Sequence, residues 1–197
     1  MKIGIFGGTF NPPHQGHFAA AKQAALILGL DILFFTPANI PAFKGMISSG
    51  ESRIEKLTVS AKQYLSSMTE APNDGSTVQQ LNTFPAFIAG STKKADTIFA
   101  ISDVDIKRGG ITYSIDTVQD FAKLYPTAQL YFIAGADVLP DLDKWKYVDT
   151  LLEECRFVVV SRPGHKLEVP PKFAGRVTTL EINTPDVSST QLRRATM

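Results

Sequence analysis

The sequence predicts an α/β fold in which a doubly wound, parallel sheet is covered by helices on both faces. Three stretches near the amino terminus support this class. Residues 2–6 are apolar and β-prone, residues 18–28 are rich in alanine and leucine, and residues 31–36 are again apolar. These stretches indicate a strand, a helix and a second strand, which in this order form a βαβ unit with parallel strands.

Later stretches of the chain continue this alternation. Apolar and β-branched runs predict further strands at 97–102, 129–134, 156–161 and 177–182. The spacing of apolar residues predicts a helix at 53–64 and a second helix that begins at Thr112 or at the pair Tyr113-Ser114 and runs to Tyr125. The section 66–95 contains turn residues without a clear period, so we expect a surface insertion there, within a single domain that spans 1–197.

The composition is that of an ordinary soluble enzyme. The 197 residues are 44% hydrophobic and 20% charged, and the formal net charge is +1. This charge gives no indication of a nucleic-acid or membrane partner, and no apolar run approaches the length of a membrane span. The single cysteine, Cys155, excludes an internal disulfide and, with the lack of a visible signal peptide, predicts a cytoplasmic protein. Its position before an apolar strand indicates a packing role.

The loop after the first strand holds the residues that point to function. Gly7 and Gly8 end the strand in a turn where backbone can approach a ligand closely, and Pro12-Pro13 blocks a helix before His14. His14 and His17 therefore fall where the carboxyl end of a strand meets the amino end of a helix. Unpaired N–H groups and the helix dipole favour anions at such a junction. Neither a Gly-x-Gly-x-x-Gly pattern nor a Walker-type Gly-Lys-Ser/Thr loop is present.

The same loop carries a long and specific string. At 7–17 it has the sequence Gly-Gly-Thr-Phe-Asn-Pro-Pro-His-Gln-Gly-His. This string resembles the signature of the bacterial nicotinate-mononucleotide adenylyltransferase family, in the His-x-Gly-His nucleotidyltransferase superfamily, although Asn11 stands where that family usually has Asp. The resemblance implies a Rossmann-like fold of nucleotidyltransferase type and makes His14 and His17 the catalytic residues. Without it, the two histidines could be a chance spacing or two helix-capping side chains. It also implies ATP binding by Gly7, Gly8, Thr9, Phe10 and Gly16.

Further strings along the chain resemble ATP-binding parts of the same family. Lys44 is implied to reach a phosphate, in a loop where Phe43 replaces the family's His. Gly135 and Asp137 follow a predicted strand, and the carboxylate is implied to hold ribose hydroxyls. Near the carboxyl end, binding of the ATP polyphosphate is implied for Ser188, Ser189, Thr190 and Arg193. Simpler explanations stay open, namely a solvated lysine for Lys44 and helix caps for Asp137 and the serines.

Three residues are implied to hold the mononucleotide. Thr112 and Tyr113 belong to a string that resembles the family's Ser/Thr-Tyr-Thr-x-Asp-Thr-Leu, and the family places a tryptophan such as Trp145 against the nicotinate ring. Helix capping explains the first two residues equally well, and a lone tryptophan is more often a core residue. Arg53 fits an arginine at the head of the family's second helix, or else forms an exposed salt bridge. Arg162-Pro163-Gly164 resembles a family string to which we assign no role.

The resemblance implies a particular reaction. A phosphate oxygen of nicotinate mononucleotide attacks the α-phosphorus of ATP, which releases pyrophosphate and gives nicotinate adenine dinucleotide for NAD biosynthesis. Mg²⁺ is expected to enter with ATP, since the sequence has no recognisable protein metal cage. Two alternatives remain open: an adenylyltransferase for another acceptor, such as nicotinamide mononucleotide or phosphopantetheine, and a nucleotide-binding protein without turnover. The sequence does not decide the oligomeric state, so a homo-oligomer is also left open.

Overall fold

The structure is a computed structural model that describes residues 1–42, 47–66, 81–82, 85–92, 95–183 and 185. For 65–66, 81–82, 85–92 and 95–96 it describes the backbone alone. The predicted phosphate ligands Lys44, Ser188, Ser189, Thr190 and Arg193 lie outside the described residues, as does Phe43.

The described residues form strands, α-helices and two 3₁₀ helices. The strands are β1 Lys2–Gly8, β2 Ile32–Pro37, β3 Ile40–Pro41, β4 Leu81–Asn82, β5 Pro85–Thr92, β6 Ala95–Ile101, β7 Ile111–Thr112, β8 Gln129–Gly135, β9 Arg156–Val160 and β10 Val177–Leu180. The α-helices are α1 Gln15–Leu28, α2 Gly50–Ser66, α3 Val104–Arg108, α4 Ser114–Leu124 and α5 Val148–Glu154. The 3₁₀ helices are Ala136–Lys144 and Pro171–Phe173. Among the helices described, none is both long and apolar enough to cross a membrane.

One mostly parallel sheet organises the chain, with the strand order β10-β9-β8-β1-β2-β6-β5-β4. β1 lies inside this sheet and runs parallel to β2, where Ile3 pairs with Ile32, and to β8, where Ile3 pairs with Leu130. The chain therefore extends from β1 first in one direction and later, through β8, in the other. The order reverses between β1 and β8, and open α/β sheets bind ligands at the carboxyl ends of the strands that flank such a point.

Helices cover both faces of this sheet, because successive residues of a strand point to opposite sides. Phe34 is buried in a core that includes side chains of α4 and α5. Its neighbour Phe35 is buried in a second core, with side chains of α1 and α2. Two apolar faces explain why the central strands are continuous apolar runs in the sequence. The doubly wound α/β class is thereby confirmed.

Every strand and helix that the sequence predicts within the described residues is present, with ends shifted by three residues or fewer. Of the two predicted starts for α4, the one at Tyr113-Ser114 is confirmed, because α4 begins at Ser114. The start at Thr112 is wrong, because Ile111–Thr112 is a strand that pairs in parallel with Ile40–Pro41. The sheet is also not parallel throughout, since β5 pairs antiparallel with both β6 and β4 at one edge. Both β4 and β5 lie in the section 66–95, where the sequence predicts no strand.

Cys155 has the packing role that its position predicts. The thiol is buried after the end of α5, and its Sγ–H donates to the carbonyl of Leu151 at 3.2 Å. Burial raises the pKa of this thiol to about 12. A thiol that stays protonated at neutral pH is a poor nucleophile, so Cys155 belongs to the core.

Candidate active site

A cleft of about 710 Å³ opens where β1 and β8 end. It is lined by eleven residues that the sequence predicts for the site: Gly7, Gly8, Thr9, His14, Gly16, His17, Thr112, Tyr113, Gly135, Asp137 and Trp145. The fold brings them together from the loop after β1, the start of α1, the segment before α4 and the 3₁₀ helix after β8. Phe10 does not line the cleft, because its side chain is fully buried and packs edge-on against the ring of His17.

The two glycines that end β1 lie against aromatic rings. A Cβ on Gly7 would lie 2.8 Å from Cζ of Phe132 in β8, which is closer than carbon atoms approach. A Cβ on Gly8 would lie 3.0 Å from Cζ of Phe10, whose backbone is left-handed with φ of 47°. Aromatic rings thus account for both glycines, and close approach of a ligand to this backbone stays a prediction.

His14 and His17 form a stacked pair at the amino end of α1. The backbone N–H of His14 donates to Nδ1 of His17 at 3.2 Å. The ring centroids lie 3.7 Å apart, with an angle of 30° between the rings. A neutral His17 that accepts at Nδ1 carries its hydrogen on Nε2, so that nitrogen is a donor. His17 therefore caps the helix with Nδ1, and its hydrogen lies on Nε2.

His14 is held as a neutral imidazole. A Cβ on Gly16 would come within 3.1 Å of its Nδ1, which is a tight contact, so a larger residue there would press against the ring. Both ring nitrogens are buried, and neither has a hydrogen-bond partner in the part of the chain that the structure describes. Burial, and then the positive charge of Arg162, lower the pKa of His14 to about 4. Buried polar atoms without a partner at a helix amino terminus suit an anionic ligand.

Arg162 is a cleft residue that the sequence analysis left without a role. It follows β9, and its Nη1 lies 2.9 Å from Oδ2 of Asp137. Gly135 leaves room for this carboxylate, because a Cβ there would lie 2.6 Å from Oδ1 of Asp137. Asp137 is not the cap of the 3₁₀ helix but lies in its first turn. The sequence could have pointed to Arg162 through its place after a predicted central strand. The carboxyl ends of parallel strands lie at one edge of the sheet, where ligands bind.

One wall of the cleft is aromatic. The ring of Trp145 lies edge-on to Phe132 and Phe157, with centroid distances of 6.2 and 5.7 Å. It is half-buried and also lines the cleft. Tyr113 adds a second ring, and Nζ of Lys146 lies 4.3 Å from its centroid. Trp145 is therefore a core residue and a wall of the cleft at once, so the two explanations of it do not exclude each other.

Thr112 ties two loops together beside this wall. Its Oγ1 accepts from the backbone N–H of Asn39 at 2.8 Å, while Nδ2 of Asn39 donates to the carbonyl of Gly110 at 3.0 Å. Tyr113 is the residue that precedes α4, and its side chain makes no capping bond. Capping is therefore the wrong explanation for both Thr112 and Tyr113.

Asp105 is a buried acid in the cleft lining that the sequence analysis did not single out. Its Oδ1 accepts from the hydroxyl of Thr117 at 2.7 Å and pairs with Nη2 of Arg108 at 2.6 Å. Burial raises the pKa of this carboxyl to about 6, against the opposing effects of both partners. Arg108 also pairs with Asp120 at 2.5 Å, so α3 is joined to α4, the helix that begins after Tyr113.

Arg53 is fully buried and links three segments. Its Nη1 donates to the carbonyls of Thr9 and Ala38 at 3.0 and 2.6 Å. Its Nε and Nη2 donate to the carbonyls of Ser48 and Asn39 at 3.0 and 2.8 Å. Burial lowers the pKa of the guanidinium. The alternative of an exposed salt bridge is wrong. The side chain instead holds three segments together: the loop 9–14 between β1 and α1 (the histidine loop), the loop after β2 and the segment before α2.

Asn11, which departs from the family string, is anchored to the same segments. Its Oδ1 accepts from the hydroxyl of Ser48 at 2.8 Å, and the residue lines the cleft. An aspartate would accept the same hydrogen bond but would add a negative charge to the cleft lining. The amide therefore keeps the anchor without the charge.

The described lining of the cleft carries charges of both signs. Its carboxyls are Asp105, Asp137 and Asp141, and its strong bases are Arg162 and Lys146. Among the residues that the structure describes, no group of three or more His, Cys, Asp or Glu side chains lies close enough to hold a metal ion. A metal bound by protein ligands thus has no visible ligand set in this part of the chain.

The fold and the cleft define the class of protein. The sequence model described as cytidylyltransferase-like matches residues 5–195, so the chain belongs to this family of nucleotidyltransferases. A probable nicotinate-nucleotide adenylyltransferase of Corynebacterium glutamicum is 34% identical over 195 residues, which cover 98% of this chain and 76% of the relative. A probable nicotinate-nucleotide adenylyltransferase of Clostridium tetani is 34% identical over 200 residues, which cover 98% of this chain and 85% of the relative. Within the class, the chain belongs to the nicotinate-nucleotide adenylyltransferase family.

Solved structures show the same fold. One is the nicotinic acid mononucleotide adenylyltransferase of Plasmodium falciparum, complexed with NaAD. It has a TM-score of 0.68 at 17% sequence identity, and the match covers 98% of this chain and 82% of the Plasmodium chain. A putative nicotinate-nucleotide adenylyltransferase of Vibrio parahaemolyticus has a TM-score of 0.57 at 17% identity, with 99% and 80% covered. At such identities the likeness establishes the fold alone.

Proposed function

We propose that this protein is a nicotinate-mononucleotide adenylyltransferase. It joins nicotinate mononucleotide to the adenylyl group of ATP, which gives nicotinate adenine dinucleotide and pyrophosphate in NAD biosynthesis. The observation that carries the proposal is the stacked pair of His14 and His17, placed at the amino end of α1 in the same cleft as Trp145. The bacterial relatives, at 34% identity over nearly the whole chain, support the same activity by name.

The reaction needs no nucleophilic side chain, because the mononucleotide phosphate is itself the nucleophile. One of its oxygens forms a bond to the α-phosphorus of ATP while the bond from that phosphorus to the β-phosphate bridging oxygen breaks, and pyrophosphate leaves. The protein holds the two substrates in line, which contributes roughly 7–11 kcal/mol to lowering the barrier. It also stabilises the charge that grows on the α-phosphate.

The two histidines divide the phosphate contacts. Nε2–H of His17 donates to an α-phosphate oxygen, and the bond from the His14 backbone to Nδ1 fixes the ring. His14 is neutral, because burial and Arg162 lower its pKa to about 4, and it binds a second phosphate oxygen through an N–H group. Donors that are oriented before the reaction stabilise developing charge without reorganisation.

The remaining site residues bind the two nucleotides in this proposal. The ATP phosphates contact the backbone from the end of β1 to the start of α1, at Gly7, Gly8, Thr9, Phe10 and Gly16. Asp137, oriented by Arg162 at 2.9 Å, accepts hydrogen bonds from ribose hydroxyls beside Gly135. Further phosphate ligands, all outside the described residues, are Lys44, Ser188, Ser189, Thr190 and Arg193. The mononucleotide is held by Thr112, Tyr113 and Trp145.

Mg²⁺ would be carried with ATP as its counter-ion, held by phosphate oxygens, and would neutralise part of the phosphate charge. We also propose a cytoplasmic location and a single catalytic domain over 1–197, supported by the one buried cysteine and by the family match to 5–195. The oligomeric state stays open.

Turnover separates this proposal from its alternatives. Pyrophosphate release is measured with ATP and, in turn, nicotinate mononucleotide, nicotinamide mononucleotide and phosphopantetheine, and the product is identified by its mass. The highest kcat/KM with nicotinate mononucleotide supports the proposal. A higher value with another acceptor would assign that acceptor instead. ATP binding without pyrophosphate release in any mixture would identify a protein without turnover. His17→Ala, purified in parallel, controls for contaminating activity.

A further inference from the structure

Lys146 occupies a distinct position among the charged groups of the cleft. Arg162 and Lys146 are the strong bases among the described lining residues. Arg162 is paired with Asp137 and lies close enough to His14 to lower the pKa of its imidazole. Lys146 belongs to the aromatic wall, since it follows Trp145 and its Nζ lies 4.3 Å from the ring centroid of Tyr113. The two bases therefore face different parts of a bound ligand.

The ammonium of Lys146 has hydrogen-bonding capacity to spare. Its ion-pair partner, Asp116, lies 3.9 Å away at Oδ2, which is longer than a hydrogen bond. An ammonium has three donors, and Lys146 makes no hydrogen bond to the residues that the structure describes. The ring of Tyr113 restrains the ammonium by a cation–π contact and shields one side of it from water. The exposed fraction of the side chain is 39%, so a ligand can reach it.

The chemistry of the substrate gives this ammonium a partner. In nicotinate mononucleotide the pyridine ring carries a carboxylate, and in nicotinamide mononucleotide it carries a neutral amide. In the proposed function the mononucleotide phosphate lies beside His14 and His17, and the pyridine lies against Trp145 and Tyr113 in the same cleft. The ring substituent then comes to the aromatic wall, where Lys146 supplies a positive charge.

We infer that Lys146 determines the preference for an acid over an amide on the pyridine ring, by donating to the ring carboxylate. This inference rests on the proposed function. A charge-assisted hydrogen bond favours the acid, whereas the amide offers a neutral oxygen and adds its own N–H donors, which the ammonium repels. The negative charge of Asp116 disfavours a carboxylate at this position, but this repulsion is weakened because Asp116 is 3.9 Å from Nζ and partly exposed to solvent.

Lys146→Met tests the inference, because it keeps the apolar stem and removes the charge. We expect the ratio of kcat/KM for acid over amide to fall about tenfold, the effect of one partly exposed charged hydrogen bond. The loss should come from a higher KM for the acid, with the KM for ATP unchanged. Lys146→Arg should recover most of the ratio, because it restores the positive charge.

Lys144→Met is the matched control. Lys144 lies two residues earlier, donates to Asp141 at 2.6 Å and is absent from the cleft lining, so its loss should leave the ratio unchanged. A purely structural role of Lys146 would lower kcat/KM for both mononucleotides equally. A ratio that stays within twofold of the wild-type value in Lys146→Met would overturn the inference while leaving the proposed function intact. A wild-type protein that makes no dinucleotide from either mononucleotide would overturn both.

Discussion

The backbone N–H of His14 donates a hydrogen bond to Nδ1 of His17 at 3.2 Å, and the two imidazole rings are stacked 3.7 Å apart. This bond determines which nitrogen of His17 carries a hydrogen, because a neutral imidazole has one donor and one acceptor. The capping role and the proposed catalytic role of His17 therefore belong together: the helix terminus orients the ring, and the ring presents Nε2–H.

His17→Ala should lower kcat by about 10²–10³, the usual effect of losing one donor to transition-state charge. The KM for ATP should change less, since the other phosphate ligands remain. Steady-state kinetics check both values, and a thermal melt checks that loss of the cap, roughly 1 kcal/mol, has not unfolded the protein. A folded variant with near wild-type kcat would contradict the mechanism and leave the histidines with a structural role only.

The lowered pKa of His14 predicts a pH dependence of stability. Burial and the charge of Arg162 lower the pKa of His14 from 6.5 to about 4, so the folded state prefers the neutral ring. The stability that this preference contributes is present above pH 6.5 and is lost as pH falls towards 4. Urea unfolding at pH 7.5 and pH 5 should show a larger loss in the wild type than in His14→Asn.

The wild type must be compared with His14→Asn because a second buried group changes the stability with pH in the opposite direction. Burial raises the pKa of Asp105 to about 6, so its contribution to stability is lost as pH rises from about 4 to 6. Both proteins contain Asp105, and its effect cancels in the difference between them. An equal loss of stability in the two proteins would show that His14 is not held neutral by the fold.

Arg53 should affect catalysis without touching the substrates. Its guanidinium joins the carbonyl of Thr9, in the histidine loop, to the carbonyls of Ala38 and Asn39 after β2. Arg53→Met should lower both the melting temperature and kcat, the latter by about 10²-fold, since small misplacements of reacting groups have effects of that size. Steady-state kinetics at a temperature well below the melting transition measure the change.

A control on the same helix separates positioning from stability. Leu57 is fully buried one turn after Arg53, and Leu57→Ala should cost roughly 2–5 kcal/mol of stability without altering the carbonyl contacts. We expect its kcat below the melting transition to stay near the wild-type value. Equal losses of kcat in the two variants would mean that Arg53 acts only through stability. Arg53→Lys, which retains the charge but not the planar fork, should recover little of the activity.

Trp145→Ala should raise the KM for the mononucleotide more than the KM for ATP. Loss of one aromatic stacking contact is worth about 1 kcal/mol, which corresponds to a roughly fivefold effect. Because the ring also packs edge-on to Phe132 and Phe157, stability should fall as well. Trp145→Phe should restore most of both properties. Reduced stability with both KM values unchanged would assign Trp145 to the core alone.

Local patterns in the sequence predict much of this fold but not its long-range contacts. The apolar strands β1, β2, β8 and β9 have a strong local signal, because each is buried on both sides. The two-residue strands Ile40–Pro41 and Ile111–Thr112 pair across the fold and have no period to detect. The same limit applies to Gly7, whose requirement for glycine comes from the ring of Phe132 in a distant strand.

The residues of the site also differ in whether a local pattern or a long-range contact determines their role. The histidine loop is a contiguous string, so its position at the strand–helix junction follows from the sequence. Arg53 could not be interpreted in this way, because its acceptors are backbone carbonyls of three separate segments, which any residue type supplies. Asp105 is similar: its burial and its bond to Thr117 depend on the packing of α3 against α4. The residues that the sequence analysis missed therefore have roles that depend on long-range packing.

The stretch Ser188 to Arg193 lies outside the described residues, yet the chain leading to it ends beside the histidines. The backbone of Asn183 exchanges hydrogen bonds with the side chain of Gln23 in α1, at 3.2 and 2.6 Å. The carbonyl of Pro185 would lie 3.5 Å from a Cβ on Gly16. Pro185 therefore lies next to the amino end of α1, close to where the ATP phosphates are proposed to bind.

This placement predicts that the carboxyl-terminal stretch responds to ATP. Ser188, Ser189 and Thr190 are proposed to bind the ATP phosphates, and an anion at the amino end of the helix predicted there would stabilise it. Backbone amides of 188–193 should therefore become protected from hydrogen exchange when ATP is added. Arg193→Ala should raise the KM for ATP, whereas Arg194→Ala should do little, because one residue turns a helical side chain by about 100°. Equal protection with and without ATP, or equal effects of the two variants, would make this segment a structural cap and not part of the nucleotide site.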